Sequence, residues 1–321
     1  MLDRRSLLLG ALAAPTAVLA QPGWKPSRPV RQIIPFAAGT SMDPIARAVQ
    51  ASLESSLGQP LIVENIAGAA TVIAGNEVLK SPADGQTMFM IANSFAANVT
   101  LRPGRTGTWP RAFAPLVQIA IVPHVLVTPP DGPKTWEEFV QRLKDKGRQM
   151  TFGSPGIGTS PHLGSEHLVR LVGGAAVHAP YNGTSQLLLD LTSGRIDFAL
   201  SNLPDIIQFV AEKRLNAIAV SAAQRAPELP NVQTFAEVGV PEVLSDSWFG
   251  IVVRRDVPQP VRDTLEKAWL DALARPDVRK LLGDLGYTIL ARPGAEFEKV
   301  IDRYIATYAT IIKEADITVQ Q

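Results

Sequence analysis

The chain contains no cysteine and only four histidines among its 321 residues. The first absence excludes disulfides, a thiol nucleophile, cysteine metal sites and a lipid-anchored N-terminal cysteine. The second leaves little for a metal, and His124, His162, His167 and His178 do not stand at ligand spacing, so neither metal nor cofactor is expected. An excess of one charge is also missing. The formal net charge is +1, falling to zero without the N-terminal leader, and no basic block interrupts it, which argues against nucleic acid as a partner. No G-x-S-x-G elbow and no phosphate-loop lysine occur. Pro161 stands where a dinucleotide fingerprint running through Gly156 and Gly158 would place its third glycine. No nucleophile with a base and an orienting group is legible, so no catalytic residue is assigned.

What is present begins with a leader. Arg4 and Arg5 form a charged start, residues 7–19 an apolar run, and Val18-Leu19-Ala20 a small-residue end. This pattern predicts a secretory signal over residues 1–20, cleaved after Ala20, and hence a periplasmic protein. The run is short for a membrane span and is broken by Gly10 and Pro15, although an uncleaved anchor has the same composition. The paired arginines also suit a twin-arginine export signal.

Beyond the leader, strand-like and helix-like runs alternate. Strands are expected at 31–36, 60–64, 87–92, 125–128, 150–152, 198–201 and 217–220, with helices at 44–57, 70–80, 136–146, 162–172, 185–191 and 204–213. Such alternation predicts an α/β chain with mostly parallel sheets. The final stretch reads as three helices, 260–274, 276–285 and 295–315, with no strand between them. Apolar strand-like segments near 125–130 and 247–253 read as crossings between two lobes. They predict a discontinuous first lobe, 21–125 plus 246–321, around a continuous second lobe, 126–245. The cleft between two such sheets is the default site.

The richest segment for chemistry is T-F-G-S-P-G-I-G-T-S-P-H-L over residues 151–163. Its glycines free backbone N–H groups, Ser160 suits an N-cap and Pro161 a first helical position. A helix start of this kind favours an anion, and the lack of a charged side chain favours a neutral cradle for a small one. We expect Ser154, Thr159 and Ser160, with the N–H groups around Gly158, to hold a carboxylate; a plain turn capped by Ser160 uses the same residues. A second loop, residues 35–43, offers Gly39, Thr40 and Ser41, or is simply capped by Asp43. Asn93 and Ser94 end one strand. Tyr181 to Ser185 and Ser201 to Pro204 read as further loops entering helices, with Asn202 able to point an amide into the cleft. Trp248 is expected near hinge and cleft.

These loops resemble a known family. R-Q-I-I-P-F-A-A-G, L-G-Q-P-L-I-V-E-N-I-A-G-A-A, K-S-P-A-D-G-Q-T, the loop at 153–163 and the run at 177–191 are similar to the matching segments of tripartite tricarboxylate transporter receptors, often called Bug receptors. The resemblance runs from about Pro29 to the C-terminus. It implies a two-lobed periplasmic-binding fold, type II-like, that is not an enzyme. Such a receptor closes about a hinge on a small organic acid, a di- or tricarboxylate or a related compound, and delivers it to membrane transporter subunits. A monomer is expected. Carried over by position, the implied contacts are Phe36, Gly39 and Ser41 in one lobe and Ser154, Gly158, Thr159, Ser160 and His162 in the other, with Asn93, Tyr181 and Asn202 as further ones. Thr40, Met42 and Ser201 depart from the family pattern, where a glycine, a threonine and commonly an aspartate stand, and they put ligand identity in doubt. Two other functions share parts of this pattern: a ligand-sensing partner of a membrane sensor kinase, and a periplasmic hydrolase or isomerase.

Overall fold

A computed structural model describes residues 24–243 and 245–319; the expected leader and its cleavage point lie outside the described residues. The chain opens with β1 (Val30–Ile34), α1 (Met42–Leu57), β2 (Leu61–Asn65), α2 (Val72–Lys80) and β3 (Thr87–Ala92). In α1 the apolar positions Ile45, Val49, Leu53 and Leu57 fall on one face and are all buried. Gly58 ends the helix at φ +70°, a left-handed cap that favours glycine, with its N–H on the Glu54 carbonyl at 2.9 Å. All six residues of β3 are buried, as in a central strand covered on both faces. There follow α3 (Asn93–Leu101), two short helices α4 (Pro103–Thr106) and α5 (Trp109–Ala112), and a long strand β4 (Phe113–Thr128).

The second part of the chain contains α6 (Trp136–Lys144), β5 (Met150–Ser154), α7 (Ser160–Val172), β6 (Ala176–Pro180), α8 (Thr184–Thr192), β7 (Ala199–Asn202), α9 (Leu203–Ala211), β8 (Asn216–Val220) and β9 (Gln233–Thr234). The return is made by β10 (Asp246–Arg254), α10 (Gln259–Ala274), α11 (Pro276–Gly283), β11 (Thr288–Pro293) and α12 (Gly294–Glu314).

Two sheets share β4, and β5 and β6 form a further two-stranded one joined at the entry to β7 by the Phe152–Phe198 bridge. The first part of β4 pairs with β10 on one side and β11 on the other, closing the order β2-β1-β3-β10-β4-β11. From His124 onward it pairs instead with β7 and β8. Sixteen residues of strand extend ~50 Å at about 3.3 Å each, long enough to run through both lobes. The pairs β1–β2, β1–β3, β5–β6 and β8–β9 are parallel, and the strands β4, β10 and β11 that tie the lobes together supply the antiparallel pairs. Each sheet is covered on both faces. One cluster packs α1, α10 and α11 against the first sheet and another packs α2, α3 and α12; α6 and α7 cover one face of the second sheet and α8 and α9 the other.

Several elements differ from the sequence expectation, which has no counterpart for α4, α5, β6 and β9. The last stretch does contain a strand, β11, hidden by a register shift between Ile289 and Arg292 and by Ala291 at φ +47°. Strand β4 starts twelve residues before the expected 125, at Phe113. Helix α3 was read as a polar strand end; it is buried on nearly every side, so no amphipathic period marks it.

Candidate functional site

The carboxyl ends of β1, β3, β5, β6 and β7 converge on one cavity of about 40 Å³ between the lobes. The first lobe contributes Phe36, Thr40, Ser41 and Met42 after β1, and Asn93 and Ser94 after β3. The second contributes Pro155, Thr159, Ser160 and Pro161 before and within α7, Thr184 at α8 and Asn202 before α9; Ser247 and Phe249 come from β10.

No lining side chain carries a formal charge, yet the surroundings favour an anion. Helices α1, α3, α7, α8 and α9 all begin at the cavity, and none has its N-cap side chain bonded to a first-turn N–H. The positive ends of five helix dipoles are therefore directed at one volume. Helix α6, which starts on the outer surface, shows the alternative. Thr135 Oγ1 accepts the Glu138 N–H at 3.2 Å, and the Glu138 carboxylate accepts the Lys134 N–H at 2.7 Å. Within the cavity Ser94 Oγ is buried without a hydrogen-bond partner, and so is Asn202 Oδ1. A buried polar atom left alone costs about 1–3 kcal/mol, so these two atoms mark where a ligand would be welcome: a donor at Ser94 and an acceptor at Asn202.

Two sets of hydrogen bonds cross the cleft. Ser41 Oγ donates to Asp205 Oδ1 at 2.7 Å and accepts from Asn202 Nδ2 at 2.8 Å, while the Tyr287 hydroxyl donates to the Ser41 carbonyl at 2.5 Å. Burial foremost, with Asp43 nearby, pushes the Asp205 carboxyl up to about 6. The second set is a line of hydroxyls around an imidazole. Ser160 Oγ lies 2.8 Å from Ser247 Oγ, which lies 3.0 Å from His124 Nε2, and His124 Nδ1 lies 2.7 Å from Ser245 Oγ. Serine, histidine and a third group in this order suggest nucleophilic catalysis, but the electrostatics do not suit it. Burial lowers the His124 pKa to about 3, and Ser245 offers no charge to stabilise an imidazolium, so the ring is a poor general base at neutral pH.

Of the residues expected from the sequence, the structure brings Phe36, Ser41, Asn93, Thr159, Ser160 and Asn202 together around the cavity. Asn93 has little left for a ligand: Nδ2 donates to the Asp246 carbonyl and the Tyr308 hydroxyl, and Oδ1 accepts the Trp248 N–H at 2.8 Å. Its neighbour Ser94 is the open group.

Gly39, Ser154, Gly158, His162 and Tyr181 do not line this cavity and are hydrogen-bonded within the protein; Tyr181 lines a neighbouring cavity instead. The Gly39 N–H donates to the Asp43 carboxylate. Ser154 Oγ lies 2.7 Å from His178 Nε2, and the Gly158 N–H donates to His162 Nδ1 at 3.2 Å. The two imidazoles stack at 4.0 Å beside Phe152, and burial lowers their pKa values to about 3 for His162 and about 4 for His178. Tyr181 donates to Asp190 at 2.9 Å. The glycine loop thus spends its own polar groups on holding its shape, and Thr159 and Ser160 are what it presents to the cavity. Trp248 lies on the crossing strand β10 but packs against Phe297 and Tyr304 and does not line the cavity.

Sequence reasoning missed Thr184, Ser247 and Asp205. Asp205 had a signal, an acid in the first turn of a helix after Pro204, which reads equally as a dipole partner. It places a carboxylate one turn beyond Ser201, in the segment where the departure from the family pattern had suggested that none remained. Among the described residues no group of three or more His, Asp or Glu could hold a metal ion, and no helix is long and apolar enough to cross a membrane.

Comparison with known proteins converges with this geometry. Residues 45–317 match the model of the tripartite tricarboxylate transporter family receptor. The protein BugT of Bordetella pertussis is 30% identical over 294 residues, covering 90% of each chain. Among solved structures, the periplasmic binding protein BugD superposes with a TM-score of 0.86 at 27% identity, covering 92% of this chain and 100% of that one. The R. palustris protein Rpa4515, solved with adipate, gives a TM-score of 0.86 at 27% identity over 91% of this chain and 99% of its own.

Proposed function

This chain belongs to the tripartite tricarboxylate transporter receptor family, and on that premise we propose that it is a periplasmic receptor that captures a small organic acid between its lobes and hands it to membrane transporter subunits. The observation that carries the proposal is the inner cavity: five helix starts, no formal charge, and a buried unpartnered hydroxyl at Ser94. One carboxylate sits there, taking N–H groups and hydroxyls from both lobes, so that binding and closure are the same event. The lobes are residues 21–125 with 246–321 and residues 126–245, and they rotate about the strands that join them. The presence of adipate in a relative of the same fold supports a carboxylate ligand. Cleavage after Ala20 and action as a monomer belong to the same reading.

A thermal-shift screen of the exported protein against mono-, di- and tricarboxylates, with neutral amides as controls, tests it. Ligand at a hundred times its dissociation constant adds about 2.7 kcal/mol of stability. Stabilisation by amides but by no acid would falsify the carboxylate assignment. Mass spectrometry of the exported protein should begin at Gln21; an intact Met1 counts against the periplasmic route.

A further inference from the structure

Phe36 and Pro155 line the inner cavity and also a second one of about 220 Å³, so the two spaces adjoin across that pair. The second cavity differs from the first in containing a formal charge, Arg102, at the junction of α3 and α4. Its guanidinium is half-buried, and its surroundings disfavour the charge: burial lowers its pKa, and so does Arg105. No carboxylate among the described residues pairs with it. Two other half-buried arginines have such partners, Arg31 with Glu64 at 2.7 Å and Arg255 with Glu298 at 2.6 Å. Arg102 Nη1 donates to Asn98 Oδ1, whereas Nε and Nη2 make no hydrogen bond among the described residues.

The guanidinium is held in place from behind. Asn98 is fully buried; its Nδ2 donates to the Ala70 carbonyl at 2.5 Å and to Thr71 Oγ1 at 3.3 Å, and Thr106 Oγ1 donates to its carbonyl at 2.6 Å. The segment it grips is unusual. Ala69, Ala70 and Thr71 run at φ +46°, +44° and +88°, three successive left-handed residues without a glycine, and Gly68, Ala69 and Ala70 form part of the cavity wall. Strain of this kind persists only where the surroundings over-determine it. A half-buried arginine with two open donors, fixed by a buried amide and facing a cavity beside the carboxylate seat, has the geometry of a counter-ion awaiting an anion.

We infer that Arg102 is a specificity-determining residue that receives a second, distal carboxylate, so that the ligand is a dicarboxylate whose spacer passes between Phe36 and Pro155. The inference rests on the receptor reading above. The inner cavity recognises one acid group by helix dipoles, N–H groups and hydroxyls without a charged side chain, and Arg102 separates diacids from monoacids.

Calorimetric titration with straight-chain dicarboxylates of four to six carbons, each paired with the monocarboxylate of equal carbon number, tests it. The wild-type chain should prefer the best diacid over its monoacid by at least thirtyfold. Arg102→Met, which keeps an apolar stem, should weaken that diacid at least twentyfold and leave the monoacid within twofold. Arg102→Lys should fall between, since it keeps the charge without the planar fork. The salt dependence of diacid binding should also flatten in Arg102→Met. Both variants are compared at matched unfolding transitions, and the wild-type ratio stands whether or not a variant folds. A wild-type ratio near one, or equal weakening of both acid classes, overturns the role of Arg102 and leaves the receptor reading intact. Failure of every acid to bind the wild-type chain overturns the receptor reading and this inference together.

Discussion

On the proposed reading, the inner and outer cavities solve the same problem, holding a ligand's negative charge, by opposite means. The inner one has no charged side chain and depends on helix starts that cannot move or titrate. The outer one depends on a single guanidinium at the end of a side chain. Fixed dipoles require little reorganisation when an anion arrives, so they suit a group that every ligand presents. A side-chain charge can be exchanged by one substitution without disturbing the helices, so it suits the part of the ligand that varies. If both proposals hold, ligand identity is written in the outer wall, and the inner wall sets the requirement for an acid.

The comparison breaks most severely if the inner cavity is filled. Ser94→Leu places an apolar side chain in about 40 Å³ and removes the open hydroxyl. Affinity for mono- and diacids alike should fall at least a hundredfold, about 2.8 kcal/mol, beyond an overpacking cost to stability of about 1–3 kcal/mol that the unfolding transition reads separately. A diacid that still binds within fivefold of wild type would relocate the carboxylate seat to the outer cavity.

A smaller effect is expected where a side chain shapes the inner wall without touching it. Asp43 accepts the N–H groups of Gly39 and Thr40 and the amide of Asn65 at 3.2 Å. Asp43→Ala leaves these donors without their acceptor, at a stability cost of about 1–3 kcal/mol. Affinity should drop about tenfold as Thr40 and Ser41 lose their register. Denaturant titration and calorimetry read the two effects separately, and unchanged values in both would mean that the loop holds its shape without Asp43.

Acid provides a third handle, acting on the second-lobe wall. His124, His162 and His178 are held neutral, with pKa values lowered to about 3, 3 and 4. Between about pH 6.5 and 4 the unfolded chain takes up protons that the folded chain refuses, so stability should decline as pH falls through that window. Asp205 acts with the opposite sign. Its carboxyl is raised to about 6, so its contribution is complete below about pH 4 and is lost as pH rises through 6. Asp205→Asn should therefore steepen the net loss between pH 6.5 and 4.5, as read by melting temperature. An identical slope in the variant would remove Asp205 from the account.

The smallest effect concerns affinity. The inner cavity has no titratable lining group, but Asp205 reaches it through Ser41. Ionising Asp205 beside a bound anion is unfavourable, so affinity should fall two- to fourfold from pH 5.5 to pH 7.5 and become level in Asp205→Asn. A steep dependence that survives the substitution would point to another group.

Much of this architecture was legible in the sequence. The apolar spacing of Ile45, Val49, Leu53 and Leu57, the Gly58 stop and the fully apolar 88–92 run each reflect burial that one element decides locally. The place of the cleft followed as well, because loops at the carboxyl ends of parallel strands meet wherever two such sheets face each other. Which polar group in each loop faces the ligand did not follow. The residue types at Gly158, Ser154 and His162 suit an anion site, but His162 and His178 reach back from other elements and consume the donors. Asn93 and Ser94 are equivalent on paper. Only the tertiary contacts of Asn93 with Tyr308 and Trp248, more than 150 residues away, leave Ser94 as the open one. Helix α3 and strand β11 were missed for a related reason: a helix buried all round and a bulged edge strand both lack a simple period.

The hydroxyl line at the pivot has one further consequence. Ser160, Ser247, His124 and Ser245 follow one another at hydrogen-bond distance, and each link can run in either direction. With the proton on His124 Nδ1, every donor points away from the cavity. With the proton on Nε2 the whole row reverses, and the Ser160 hydroxyl is released toward the cavity, without displacement of any heavy atom. The wall is in this sense a polarisable medium, two orderings of protons on one frame, and an arriving anion selects the ordering that faces it. The three serines and the imidazole thus carry part of the dielectric response that water would otherwise give to a carboxylate.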